Sequence, residues 1–230
     1  MNIMLNKQRG NMYKFATHTW NPIRGKCSHD CSYCSIKGIA KRFNRPQKPI
    51  RLVEKELNTK LGKGNFIFVG SSTDMFADSV HYNLIVQVLK VCKKYPDNKY
   101  LFQTKNPKRL KDFTFLFPKN SIMGITLETN RNYDLGNAPP IMNRVRHFSS
   151  LRWEHKMITI EPIVDFDLNL FVIMIKEIEP EWVNIGADSK GHNLSEPSKE
   201  KILALVDELK EFTEVKIKPN LKRIVGEHYG

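Results

Sequence analysis

The chain has 230 residues, 40% hydrophobic and 27% charged, an ordinary globular balance with length enough for one substantial core. No apolar run approaches the roughly 18 residues of a membrane span, and the N-terminal stretch MNIMLNKQRGNMYK lacks the apolar centre and cleavage site of a signal peptide, so a cytoplasmic protein without a membrane partner is expected. Lys and Arg number 37 against 24 Asp and Glu, and the resulting +13 favours polyanionic partners such as nucleic acid or nucleotides over neutral ones, unless it only decorates a solvated surface.

Short β-rich runs alternate with helical patterns along the chain. KFATHTW (14–20) reads as a strand and leads into a cysteine-rich loop, followed by a helical pattern over 31–43 and a short helix over 53–61 that Gly62 ends. NFIFVG (65–70) is the next strand. It precedes a helix over 80–94 in which Leu84, Ile85, Val88, Leu89 and Cys92 mark one face, so Cys92 is expected to be a buried small apolar residue. Then come KYLFQT (99–104), a helix over 107–115, IMGITL (122–127), a helix over 140–151, KMITI (156–160) and a helix over 168–178. WVNIG (182–186), a helix over 197–212 capped by Ser195 or Ser198, and EVKIK (214–218) complete the series. Strand and helix in alternation imply a parallel sheet. Such units close into a (β/α) barrel or part of one. An open doubly wound sheet competes, but no G-x-G-x-x-G follows any strand. One domain over 1–230 is expected.

Parallel barrels carry their sites at the carboxyl ends of the strands. Those ends here are Thr17-His18-Thr19-Trp20-Asn21, Gly70-Ser71-Ser72-Thr73-Asp74, Gln103-Thr104-Lys105, Thr126-Leu127-Glu128, Glu161-Pro162, Gly186-Ala187-Asp188 and Lys216-x-Lys218. Each delivers a polar or charged group to one rim. Glu161 follows directly on an apolar strand, and a carboxylate there requires a partner: Lys105, Lys218 or a ligand's ammonium. Trp20 is expected to pack near the cysteine loop.

The loop itself, CSHDCSYC, places Cys27, Cys31 and Cys34 in a C-x3-C-x2-C array. A disulfide framework does not suit four cysteines in a chain of this kind. A structural zinc site needs a fourth ligand, such as His29 or His18. A redox pair of Cys31 and Cys34 leaves Cys27 without a role. An iron–sulfur cluster accounts for all three thiols and leaves one iron open.

C-x3-C-x2-C with Tyr33 before the last cysteine, placed after the first strand of a βα series, resembles the signature of the radical S-adenosylmethionine (radical SAM) superfamily. The blocks THTWNPIRGKCSHDCSYC, FVGSSTDMF, FQTKNPKRL, ITIEPI and VNIGADS, spread over 17–188, resemble a phage- and prokaryote-associated group within it; a more distant likeness is to spore photoproduct lyase. The resemblance implies a partial (β/α)6 TIM-type barrel with mostly parallel strands, to which the run 214–218 would add a seventh strand. It implies a [4Fe–4S] cluster on Cys27, Cys31 and Cys34, with S-adenosyl-L-methionine chelating the fourth iron. Gly70, Ser71, Ser72 and Asp74 occupy the position that binds the methionyl amine, although Gly-Ser-Ser replaces the family's common Gly-Gly-Glu. Tyr33 would contact adenine. Glu128, Glu161 and Asp188 are candidates for ribose, methionine or substrate. The implied reaction is reductive cleavage to methionine and a 5′-deoxyadenosyl radical that abstracts a substrate hydrogen, driven by an electron donor such as flavodoxin or ferredoxin.

For the substrate, the charge and the basic runs 105–111 and 216–223 favour nucleic acid or a nucleotide, with Lys105 and Lys218 as candidate contacts. The same chemistry on a small molecule or peptide is a second reading. A metal-stabilised nucleic-acid-binding module without catalysis is a third; in it a chelator would unfold the chain.

Overall fold

Side chains along the central strands point alternately to two different cores, and this alternation organises the fold. The computed structural model describes residues 5–8 and 12–226, so the leader-free reading of 1–14 falls partly outside the described residues. The strands are β1 (Asn6–Lys7), β2 (His18–Trp20), β3 (Ile23–Arg24), β4 (Arg51–Leu52), β5 (Phe66–Val69), β6 (Lys99–Thr104), β7 (Ser121–Thr126), β8 (Lys156–Ile160), β9 (Trp182–Ile185) and β10 (Glu214–Ile217). The helices are α1 (Ser35–Arg42), α2 (Tyr82–Lys93), α3 (Ile141–Ser149), α4 (Leu168–Ile178), α5 (Lys199–Lys210) and α6 (Lys222–Val225). The main sheet has eight strands in the order β1-β2-β5-β6-β7-β8-β9-β10, and β3 and β4 form a separate ribbon. Only the β1–β2 pairing in the main sheet is antiparallel. From β2 to β10 every neighbour is parallel, giving seven parallel strands.

Ile67, Val69, Tyr100, Phe102, Ile158 and Val183 face outward into the large core shared with the helices. Their neighbours Phe68, Leu101, Ile122, Met157 and Trp182 face inward to a second core with Tyr13 and Ala16. Fully burying a side chain of this kind contributes about 1.5–3 kcal/mol. The inner core shows that the sheet is curled. Phe15 lies 5.1 Å from the Phe66 ring on β5 and 5.4 Å from Trp182 on β9. Strands about 4.8 Å apart would hold those positions roughly 19 Å apart in a flat sheet, so one ring reaches both only across a barrel interior.

Most expected elements form, with instructive departures. The strand over 14–20 is confined to 18–20, because Phe15 and Tyr13 leave the sheet to fill the interior. The helix over 107–115 is a 3-10 helix, Pro107–Leu116, and its buried residues Pro107, Leu110 and Phe113 recur every third position, the period of that geometry. The segment 53–61 holds only a 3-10 turn at Glu54–Asn58. The helix expected over 31–43 begins at Ser35, because residues 27–34 form the loop itself. Cys92 is fully buried, and Trp20 is buried with its indole N–H donated to the Glu56 carbonyl at 3.2 Å. Among the described residues no helix is long and apolar enough to cross a membrane.

Candidate functional site

The carboxyl ends of the parallel strands open into a cavity of about 510 Å³, a size suited to a small-molecule ligand. Cys27, Cys31, Tyr33 and Cys34 line one wall. Gly70, Ser71, Ser72 and Asp74, then Lys105, Glu161, Asp188 and Lys218, line the rest. The barrel thus brings together every singled-out site residue except Glu128, which lies behind the Tyr33 wall.

The three cysteines of the loop are half-buried and form no disulfide. Burial, reinforced by the Asp74 charge, pushes the Cys27 thiol up to about 11. Burial also raises Cys31, although Lys105 opposes it. Thiolates become favourable here once a cation binds them, as metal ligation requires. Among the described residues no three His, Cys, Asp or Glu side chains converge on a point that one ion could occupy. The three thiols share one wall of the cavity, and Cys thiolates are the donor type that holds iron–sulfur clusters.

His29 has a different task. It is buried, and its Nε2 lies 2.9 Å from Asp74 Oδ2. His29 therefore holds the cysteine loop against Asp74. The same Asp74 oxygen accepts from Thr104 Oγ1 at 2.9 Å and the Lys105 N–H at 2.8 Å, while Oδ1 accepts from the Phe76 N–H at 2.9 Å. Burial pushes the Asp74 carboxyl up, but His29 and these N–H groups outweigh it and hold the group below the usual carboxylate range. Asp74 thus ties the cysteine loop to β5 and β6, with only Oδ1 left a spare lone pair. On the other side, the Asn137 N–H donates to the His29 carbonyl at 2.6 Å. Gly136, at φ +121°, permits this approach: a Cβ there would lie 2.7 Å from that carbonyl oxygen and 2.8 Å from the Cys31 Cα.

Glu128 is buried and paired on all sides. The Tyr33 hydroxyl donates to Oε1, Arg144 Nη1 donates to Oε2 at 2.8 Å, and Lys105 Nζ stands 3.5 Å away. Burial raises its carboxyl, yet Lys105, Arg144 and Tyr33 together bring it below the ordinary value. Burial and the Glu128 charge push the Tyr33 phenol well up, so it stays a donor. Lys105 also lies over the Tyr33 ring, 5.4 Å from its centroid. Lys105 is therefore directed to Glu128 and Tyr33.

Glu161 finds its cation in Lys218, whose Nζ lies 2.5 Å from Oε2, and Asn220 Nδ2 reaches Oε1 at 2.8 Å. Gly186 makes room: a Cβ there would sit 2.8 Å from Glu161 Oε1. Beneath it, the Tyr13 hydroxyl lies 2.6 Å from both Gln103 Oε1 and Thr159 Oγ1, forming the polar floor. Burial raises the Asp188 carboxyl, but the His192 and Lys190 N–H groups and the His192 ring more than compensate. Asn21 Oδ1 accepts the Ser72 N–H at 2.9 Å and shapes the Gly70–Ser72 turn.

Sequence reading weighed His29 only as a metal ligand and missed Arg144, Asn220 and Tyr13 as site-building residues. These last three belong to no motif, and their partners are 16, 59 and 146 positions away. The basic runs also change meaning. Lys216 lies over the Trp182 ring at 4.4 Å, Arg109 donates to the Ala77 carbonyl, and Arg223 pairs with Glu196. Several of their charges are thus already engaged within the chain, while Lys108 and Lys111 stay exposed.

A family model described as "Protein of unknown function (DUF5131)" matches residues 11–213. No curated protein matches the sequence at a significant level. Among solved structures, a double mutant of spore photoproduct lyase with bound AdoMet and dinucleoside spore photoproduct superposes at TM-score 0.67 with 9% identity, covering 91% of this chain and 78% of that one. A single mutant with dinucleoside spore photoproduct gives 0.66 at 8% identity, over 93% and 80%. The lyase complexed with dinucleoside spore photoproduct gives 0.62 at 8%, over 91% and 78%. At these identities the likeness concerns the fold, which is the radical SAM-type barrel.

Proposed function

Because this chain belongs to the DUF5131 family and carries the barrel of spore photoproduct lyase, we propose that it is a radical SAM enzyme, one barrel domain acting on nucleic acid or a nucleotide. The observation that carries this reading is the row of three undisulfided, half-buried cysteines on one wall of the strand-end cavity. Cys27, Cys31 and Cys34 would hold the [4Fe–4S] cluster, and the Gly70–Ser72 turn, which lines the same cavity, would offer backbone and hydroxyl groups to S-adenosylmethionine. When bound and reduced by a donor such as flavodoxin or ferredoxin, this pair of cofactors supplies a 5′-deoxyadenosyl radical for hydrogen abstraction. The chain's own part is to position and enclose. His29 and Asp74 fix the cysteine loop over the barrel, Tyr33 is held by Glu128, and the Glu161–Lys218 pair with Asp188 presents polar groups to whatever enters. The apolar inner core beneath Tyr13 keeps water from approaching from below. The cationic surplus and the dinucleoside bound by the structural neighbours support the substrate class.

The test is anaerobic reconstitution, with iron and sulfide counted and 5′-deoxyadenosine measured after adding S-adenosylmethionine and dithionite. About four irons per chain are expected, with slow deoxyadenosine release. Zinc uptake without iron would replace this reading with a metal-stabilised binding module.

A further inference from the structure

Beside the cavity runs a strap of chain with an unusual charge record. From 31 to 53 there is no Asp or Glu, while Lys37, Lys41, Arg42, Arg45, Lys48 and Arg51 fall within it. Lys37 is neutralised by Asp30 at 2.7 Å; among the described residues the other five form no ion pair. The strap comprises α1 and the segment that follows it. α1 buries none of its side chains, and residues 41–49 are all exposed. It is nevertheless anchored at both ends: it leaves the cysteine loop at Cys34, and it returns through the β3–β4 ribbon and the Lys26 N–H to Lys48 carbonyl bond at 2.9 Å. Ser35, Ile36, Lys37 and Gln47 place it on the cavity rim. At its turn Phe43 is 57% exposed, with the Arg42 and Arg45 guanidinium groups 5.6 and 5.5 Å from its ring centroid.

We propose that the strap 37–51 is a docking surface for single-stranded nucleic acid, with Lys41, Arg42, Arg45, Lys48 and Arg51 tracking phosphates and Phe43 stacking on a base, so that a nucleotide is delivered to the adjacent cavity. The inference deepens the nucleic-acid part of the reading above and rests on it. Unpaired cations interleaved with an exposed aromatic form the pattern of sequence-tolerant single-strand binding, where charge follows the backbone and a ring stacks on any base. An acidic protein would match the charge but would give the exposed ring no base to stack on.

The probe is a fluorescein-labelled single-stranded oligothymidylate of ~20 nucleotides, enough to cover one such strip, followed by anisotropy across a salt series. Phe43→Ala should weaken binding about tenfold and Phe43→Tyr should restore it. The triple variant Lys41→Gln, Arg42→Gln, Arg45→Gln should lower the slope of log affinity against log salt by about 2. All these side chains are exposed, so folding is preserved, and dithionite-driven deoxyadenosine release without substrate should stay at the wild-type rate. A triple variant with wild-type affinity and slope overturns the proposal. Wild-type protein that holds iron and releases deoxyadenosine, yet retains no oligonucleotide at low salt, overturns it too and leaves the radical chemistry standing. Iron-free protein that still binds through Phe43 supports the strap and rejects the radical reading. If the triple variant loses only flavodoxin-driven turnover, with oligonucleotide binding unchanged, the surface belongs to an acidic electron donor and the proposal falls.

Discussion

The two walls of the cavity handle charge in opposite ways. On one side Glu128 is buried and Asp74 partly buried, and each is surrounded by donors on different elements: Arg144 from α3, Tyr33 and His29 from the cysteine loop, Thr104 from β6. On the other, α1 and the chain after it keep five cations exposed and, among the described residues, in no ion pair. Taking a charge out of water is costly without a partner, so the first wall is necessarily a locked network. The second wall is solvated, which leaves its charge available to an incoming anion. The cysteine loop lies between them, fixed from behind and open in front.

Removing a thiol tests the middle of this arrangement and should have the largest effect. Cys31→Ser is expected to abolish stable cluster incorporation, read as iron and sulfide per chain, whereas Cys92→Ala should leave iron content unchanged. Arg144→Met breaks the locked wall. It should cost about 3 kcal/mol in urea unfolding, the low end for breaking a buried pair, because Tyr33 and Lys105 still serve Glu128. His29→Ala removes one charge-assisted bond and should cost about 2 kcal/mol, with less iron retained after gel filtration. Acid probes the same wall. Asp74 and Glu128 both titrate below their ordinary values in the folded chain, so the unfolded chain binds more protons as pH falls. Their stabilisation is complete above the unfolded values, near roughly pH 4, and is lost as pH drops through the lowered folded ones. The urea midpoint should fall across that window, and Asp74→Asn should flatten the fall. The smallest effect belongs to the open wall: Phe43→Ser should change stability by less than about 0.5 kcal/mol, as exposed positions do.

Much of the barrel was legible because its strands are apolar runs bounded by turns, and β5 through β10 lie where those runs lie. The two-residue strands β1, β3 and β4 carry no periodic signal and went unseen. Residues 14–17 read as strand because Phe15 and Ala16 have the composition of one; only a curled sheet with an interior to fill draws Phe15 and Tyr13 out of it. In the site, the strand-end residues could be gathered onto one rim from the sequence, since a parallel barrel places them there. The partners that fix them could not. The strap 37–51 was also legible, as an acid-free basic run with an aromatic; 105–111 and 216–223 look as basic, but Lys105 and Lys218 within them are taken up by Glu128 and Glu161.

The sequence by itself determined the βα alternation, the three clustered thiols and the polar rim, because local spacing carries each of them. Only the tertiary structure decided which carboxylate meets which cation: Glu161 took Lys218 rather than Lys105, and Lys105 went to Glu128. It also decided which cations remained for a partner. Pairing of charges depends on which strand ends and helices come within a few ångströms, and in a curled sheet those neighbours lie 16 to 59 positions apart along the chain.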